Sequence, residues 1–301
     1  MKIVLAGGTG FIGKALRREL LSAGHELVVL TRQAQAGEAE RETLVAWDGK
    51  TAGVWAAHLE GADAVINLAG ENIAAKGWTA ERKEVLLSSR VNATRAIVTA
   101  IGQVRAKPSV LINVSAVGYY GDTADEVLTE TSVRGQGFLA ETCELWESEA
   151  RKAEPFGVRV ILARLGPVLG EQGGMLSKMI PPFRFFVGAP LGSGRQWIPW
   201  VHRDDVIGAF LFMLGCREFS GPVNITAPFP VTMKDLSRAL AGVLHRPCWF
   251  PAPGCLLRMV LGEMSSIILS SQKALPQKLL KAEYRFRYEH LSAALAAIFR
   301  V

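Results

Sequence analysis

Three glycines, Gly7, Gly10 and Gly13, fall in the run Gly7-Gly8-Thr9-Gly10-Phe11-Ile12-Gly13, directly after the apolar stretch Ile3–Ala6 and at the start of an amphipathic segment. A glycine triplet at a strand-to-helix turn is built for a dinucleotide. The first glycine permits the tight turn, the second lets backbone approach a pyrophosphate, and the third lets the helix pack closely. Thr9, Gly10, Phe11 and Ile12 would then surround an anion resting on the helix amino terminus, where unpaired N–H groups and the helix dipole favour negative charge. Thr31-Arg32 follows, with Arg32 19 residues beyond Gly13. An acid at this point binds a ribose 2′-hydroxyl, whereas a basic side chain accommodates a 2′-phosphate; Arg32 is either an ordinary surface arginine or the group that selects NADP over NAD, and NADP is the expectation. Further on, Asn67-Leu68-Ala69-Gly70 ends another strand-like run. Its backbone either lines the cofactor ribose, through Leu68, Ala69 and Gly70, or forms a plain strand-to-loop turn.

Other groups that could do chemistry are fewer. Arg164 and Arg195 are placed either to clamp an anionic substrate such as a phosphate or carboxylate, or to form structural ion pairs. The five histidines, at 25, 58, 202, 245 and 290, have no metal-ligand spacing, and no metal is expected. The four cysteines, Cys143, Cys216, Cys248 and Cys255, lie 73, 32 and 7 residues apart. That spacing suits neither a zinc site nor a disulfide framework; free thiols in a reducing cytoplasm are expected.

The elements that must position these groups follow from periodicity. Strand-length apolar runs at Ile3–Ala6, Leu27–Thr31, Leu44–Ala46, Ala64–Leu68, Val110–Val114 and Val158–Leu162 alternate with helical spacing at Phe11–Ala23, Glu81–Ile101 and Leu139–Lys152. This is an α/β pattern, a Rossmann-type doubly wound parallel sheet. After Arg164 glycine and proline become dense, and 166–200 reads as a substrate lid. Asp204–Leu214 and Met233–Leu244 are helical around a short strand at Val223–Ile225, and Cys255–Leu269 reads as one packed amphipathic helix, with a last helix near His290–Phe299. The expected organisation is a cofactor domain over 1–165, with 201–228 returning to it, and a smaller substrate/lid and C-terminal helical region over 166–200 and 229–301. With 301 residues, 49% hydrophobic and a net charge of +6, the chain can bury a full core. The surplus could favour an anionic ligand or surface, but the basic residues are scattered and form no nucleic-acid footprint. No stretch carries the ~20 clean apolar residues of a membrane span.

Taken together, the glycine triplet, Asn67–Gly70, Gly118-Tyr119-Tyr120-Gly121-Asp122 and Val201-His202-Arg203-Asp204-Asp205-Val206 resemble an extended short-chain dehydrogenase/reductase. More narrowly, Glu71-Asn72-Ile73, Pro181-Pro182-Phe183-Arg184, Gly192-Ser193-Gly194-Arg195-Gln196 and Ser271-Gln272-Lys273-Ala274-Leu275-Pro276 resemble epimerase-family proteins of the NAD-dependent epimerase/dehydratase superfamily with a C-terminal domain of unknown function. The resemblance implies NADP(H) binding, a sugar-epimerase-like fold, and an architectural role for His202 and Asp205 at the sheet edge. It also implies a catalytic serine, tyrosine and lysine, the lysine four residues after the tyrosine. Here the only tyrosines are Tyr119, Tyr120, Tyr284 and Tyr288, and Thr123, Ala124, Tyr288 and Ser292 follow them by four. The Tyr–Lys pair is absent, and Phe138 and Thr142 stand where the resemblance places it. Ser115 occupies the expected serine position, as catalyst or cofactor contact, although alignment on Tyr120-Gly121 puts Ala116 there. Tyr119 or Tyr120 is either the proton donor or a packing group. A phenol with no cation nearby, of pKa about 10, makes a poor base at neutral pH.

The expectation is an NADP-dependent oxidoreductase or epimerase-like enzyme on a small substrate whose identity the residues leave open, an anionic one among the candidates. The alternative is a non-catalytic NADP(H) sensor or interaction protein that keeps the dinucleotide site without the acid/base pair.

Overall fold

The computed structural model describes residues 1–32, 38–171 and 173–300, with backbone alone at 38–39. Seven parallel strands form its centre: β1 (Lys2–Ala6), β2 (Glu26–Thr31), β3 (Glu42–Ala46), β4 (Ala64–Asn67), β5 (Val110–Ala116), β6 (Arg159–Leu165) and β7 (Gly221–Ile225). Their spatial order is β7-β6-β5-β4-β1-β2-β3, with Glu38–Ala39 pairing antiparallel to β3 at the edge. The order reverses between β1 and β4, the topological switch point at which open α/β sheets bind ligands.

Near-continuous apolar runs form these strands because both faces of the sheet are covered. Ile3, Leu5, Leu27 and Val29 point into a core shared with α1 (Phe11–Ser22) and α5 (Arg203–Gly215). The alternating Val4, Ala6, Val28 and Leu30 enter a second core under α2 (Ala80–Gln103) and α3 (Phe138–Arg151). Each fully buried Leu or Ile contributes roughly 1.5–3 kcal/mol, and with both faces covered every strand residue adds to one core or the other.

The stretch 166–200 is partly regular. It contains α4 (Leu176–Arg184) and short strands that pair Val168 with Val201 and Trp197 with Thr232. A third core unites α4 with α6 (Met233–Leu244) and α8 (Leu291–Phe299) around fully buried Trp200. The expectation of a single packed helix over Cys255–Leu269 is corrected. α7 (Gly254–Leu261) ends at Gly262, whose φ of +57° breaks the helix, and a 3₁₀ turn and the short helix Ser266–Leu269 follow. None of the residues of α7 is buried. Among the described residues no helix is long and apolar enough to cross a membrane.

Candidate functional site

The glycine turn lies at the C-terminal end of β1, and each glycine of the triplet answers a separate constraint. Gly7 has φ +78°, and a Cβ there would lie 2.8 Å from the Leu68 carbonyl carbon and oxygen. A Cβ on Gly13 would lie 2.2 Å from the Gly7 carbonyl oxygen, so α1 can begin against the turn only with glycine there. Gly10 is different: it is exposed, and a Cβ would meet only the Gly7 oxygen, at 3.5 Å. Gly10 also caps α1, and no side chain hydrogen-bonds to the helix start. Among the described residues the first-turn N–H groups of Phe11, Ile12 and Gly13 have no side-chain cap and face an open cradle, which fits a pyrophosphate. Thr9 is exposed and Phe11 and Ile12 half-buried; the Phe11 ring is packed by the backbone of Gly170, Gly173 and Gly174.

A buried polar network sets the neighbouring turn. Asn67 at the end of β4 donates to Asn113 Oδ1 at 2.7 Å and to Thr94 Oγ1 at 3.0 Å, and its Oδ1 accepts the Ala69 N–H at 3.1 Å. Trp146 Nε1 donates to the same Thr94 oxygen at 2.9 Å. Arg90 then donates to the Glu71 carbonyl at 2.9 Å and packs over Trp146. Leu68, Ala69 and Gly70 are thus held from below, beside the glycine turn.

The buried Thr31 ends β2, and the exposed Arg32 follows it. Its Nη1 donates to Glu71 Oε1 at 3.2 Å, and Arg82 reaches the other Glu71 oxygen at 3.5 Å. Glu71 and Arg82 lie 39 and 50 residues beyond Arg32 in sequence, and only folding shows that the three share a corner.

The groups expected to do chemistry separate. Ser115 is enclosed and donates to Glu147 Oε1 at 2.7 Å, so it faces α3 rather than a ligand. Arg164 is enclosed as well: its Nε and Nη2 bond the two Glu147 oxygens, each at 2.8 Å, and its Nη1 donates to the Tyr120 hydroxyl at 3.0 Å. Tyr120 in turn has the Thr129 carbonyl at 2.9 Å and Asn224 Oδ1 at 2.7 Å as acceptors. Burial pushes its phenol above the ordinary range, and the Arg164 charge offsets part of that rise. Ser115, Tyr120 and Arg164 thus form an internal brace between β5, α3, β6 and β7, the ion-pair and packing alternatives that the sequence leaves open for Arg164 and Tyr120.

Tyr119 remains half-exposed, with the Arg164 guanidinium 3.4 Å from its ring centroid. Phe138, at the start of α3, meets Trp78 edge-on at 5.1 Å. One turn on, Thr142 is buried and its Oγ1 has no hydrogen-bond partner among the described residues. That orphaned hydroxyl, like the glycine cradle, fits a bound polar group. Neighbouring Cys143 is enclosed, and desolvation lifts its thiol to about 11, leaving it inert. Arg195 is exposed on a turn anchored by Gln196, whose side chain donates to the Leu191 and Ile268 carbonyls at 2.8 and 3.1 Å. It forms no salt bridge among the described residues.

His202 and Asp205 prove architectural. His202 Nδ1 accepts the Asp204 N–H at 3.1 Å and caps α5, while Asp205 accepts the N–H groups of Arg287 and Tyr288 at 2.6 and 3.0 Å. Ser271 and Gln272 bind the 121–124 loop: the Ser271 N–H donates to Asp122 at 3.0 Å and Gln272 Nε2 to the Gly121 carbonyl at 2.7 Å. No group of His, Cys, Asp and Glu among the described residues could hold a metal ion.

Residues 252–298 match a domain of unknown function, DUF1731. The chain is 40% identical over 299 residues to the epimerase family protein YfhF of Bacillus subtilis, covering 99% of this chain and 98% of that one. It is 38% identical to the chloroplastic SDR39U1 homolog of Arabidopsis thaliana, covering 100% and 87% respectively. The crystal structure of human epimerase family protein SDR39U1 (isoform 2) with NADPH superposes with a TM-score of 0.90 at 31% identity, covering 100% of this chain and 99% of that one. Residues 3–225 match the NAD dependent epimerase/dehydratase family, and to that family the chain belongs.

Proposed function

We propose that this protein binds NADP(H) over the glycine turn and uses it in redox or epimerase-like chemistry on a small anionic substrate. Arg32 carries the reading: a cation stands at the exposed end of β2, where an acid would select NAD. The human relative whose structure contains NADPH supports it. In this reading the backbone of Gly7, Thr9, Gly10, Phe11, Ile12 and Gly13 receives the pyrophosphate, Arg32 leaves Glu71 for the 2′-phosphate, and Leu68 to Gly70 line a ribose. Residues 1–165 and 201–228 hold the cofactor, while 166–200 and 229–301 hold the substrate. When bound, the nicotinamide supplies or accepts a hydride. Tyr119 is the proton donor, held in place by the Arg164 guanidinium beneath its ring, and exposed Arg195 attracts the substrate's anionic group. The four free thiols suit a reducing compartment such as the cytoplasm.

A second reading, a sensor that binds NADP(H) without turnover, is favoured by Phe138 and Thr142 and by the enclosure of Ser115 and Tyr120. Titration calorimetry with NADPH and NADH, then NADPH consumption across ketones, aldehydes and nucleotide sugars, separates the two. Equal affinity for both cofactors would overturn the NADP assignment; tight NADPH binding without turnover on any carbonyl would favour the sensor.

A further inference from the structure

Two neighbouring segments of the C-terminal half expose apolar side chains that a folded chain ordinarily hides. Phe185, Phe186 and Val187 follow α4, while Trp249 and Phe250 lead into α7, where Met259 and Val260 stand out; Phe250 is 91% and Met259 79% exposed. The segments are tied together. Trp249 donates through its N–H to the Gly188 carbonyl at 2.9 Å and through Nε1 to the Phe186 carbonyl at 2.7 Å, and the Ala252 N–H donates to the Pro190 carbonyl at 2.8 Å. Isolated exposed hydrophobics need no explanation, but seven on two segments that backbone hydrogen bonds hold together mark an interaction surface.

Charge narrows the partner. Residues 173–202 and 236–262 contain six Lys and Arg and no Asp or Glu. Arg184, Arg246 and Arg258 lie among the exposed apolar side chains, and the Arg246 guanidinium sits 4.6 Å from the Phe186 ring centroid. Just past the second segment, Glu263 is held by Lys83 at 2.7 Å.

We propose that this face docks on an anionic lipid bilayer, with Phe250, Met259 and their neighbours entering the headgroup–acyl boundary and the arginines meeting lipid phosphates. Protruding aromatic and aliphatic tips flanked by arginine are the composition of an interfacial anchor, and α7 is a short helix with its apolar side chains free of the core. A second copy of the chain is a poorer occupant, because a two-fold contact would bring two faces of the same positive sign together. A shaped protein partner would call for a groove or a flat patch, whereas side chains exposed to this degree are projections.

Flotation of the full chain with phosphatidylcholine vesicles, with and without phosphatidylglycerol, tests the assignment. Binding is expected only with the anionic lipid and is expected to fall as salt is raised, since screening shortens the reach of the arginines. Arg246→Gln with Arg258→Gln should weaken partition at least about tenfold, each cation being worth about fivefold at such a surface. Phe250→Glu with Met259→Glu should abolish it. All four positions are at least partly exposed, and unchanged circular dichroism and melting would show that the variants fold. Three outcomes would overturn the proposal: no flotation with anionic vesicles at low salt, flotation indifferent to both variant pairs, or a dimer in light scattering that the glutamate pair converts to monomer.

Discussion

Glu147 on α3 and Arg164 on β6 form a bidentate pair, Oε1–Nε and Oε2–Nη2 both 2.8 Å, with each side chain almost wholly removed from solvent. Such a pair is costly to break and cheap to replace. Removing one partner strands a buried charge, so Glu147→Leu should destabilise the fold by about 3–5 kcal/mol, whereas Glu147→Leu with Arg164→Met should recover most of that loss. Urea denaturation of the two variants checks this; equal losses would mean that the pair acts independently of its charge complement.

Two glycines of one turn should fail in different ways. Gly10→Val places its side chain in the open cradle, so it should fold normally and lose dinucleotide binding. Gly13→Ala brings a Cβ to 2.2 Å from the Gly7 carbonyl oxygen and should lower the melting temperature as well. A Gly10→Val protein that binds NADPH normally would place the cofactor elsewhere.

The Arg32–Glu71 contact sets up opposite effects at the proposed 2′-phosphate site. Arg32→Ala should weaken NADPH by about 1.5–3 kcal/mol, a charge-assisted hydrogen bond, and leave NADH nearly unchanged. Glu71→Gln frees Arg32 from an exposed pair worth at most about 1 kcal/mol, so NADPH affinity should rise a few-fold. Calorimetry with both cofactors reads each change, and an NADPH preference surviving Arg32→Ala would exclude Arg32 as its source.

The sheet was legible in the sequence because strands covered on both faces must be apolar throughout, and the glycine triplet because steric closeness at Gly7 and Gly13 admits no other residue. The brace was not. Arg164 reads the same whether it awaits a substrate or meets Glu147, since the deciding fact is a partner 17 positions away on another element. Tyr119 and Tyr120 are adjacent and alike, yet one faces inward to Asn224 and the other lies over Arg164. The break in 255–269 was hidden for another reason. Gly262 sits within an apolar run whose periodicity continues past it, and periodicity says nothing about a left-handed φ.

Stability should respond to pH through His202. Burial lowers its imidazole from 6.5 to about 4; the Asp204 charge opposes that fall and the Arg203 and Arg287 charges add to it. Between those values the unfolded chain binds the extra proton, so stability is full above about 6.5 and declines as pH falls toward about 4. Asp205 acts in the opposite sense: desolvation raises its carboxyl, so the folded state holds that proton more readily as pH falls. His202→Asn keeps an acceptor for the cap without a titrating ring, and should flatten the decline in urea midpoint while leaving Asp205 in place. An unchanged slope in the variant would assign the decline to other groups.

The last expectation concerns the two adjacent tyrosines, which turnover assays on whichever carbonyl substrate the panel reveals will separate. Tyr119 is half-exposed and Tyr120 enclosed, its hydroxyl committed to Arg164, Thr129 and Asn224. Tyr119→Phe removes a proton donor that meets substrate and should cut kcat at least about a hundredfold with little change in melting. Tyr120→Phe instead leaves a buried acceptor and the Arg164 Nη1 donor unpaired, and should destabilise the fold by about 1–3 kcal/mol while the folded fraction keeps its rate. If rate falls with Tyr120 and not with Tyr119, proton transfer runs through the brace, and the roles drawn here for the two rings are reversed.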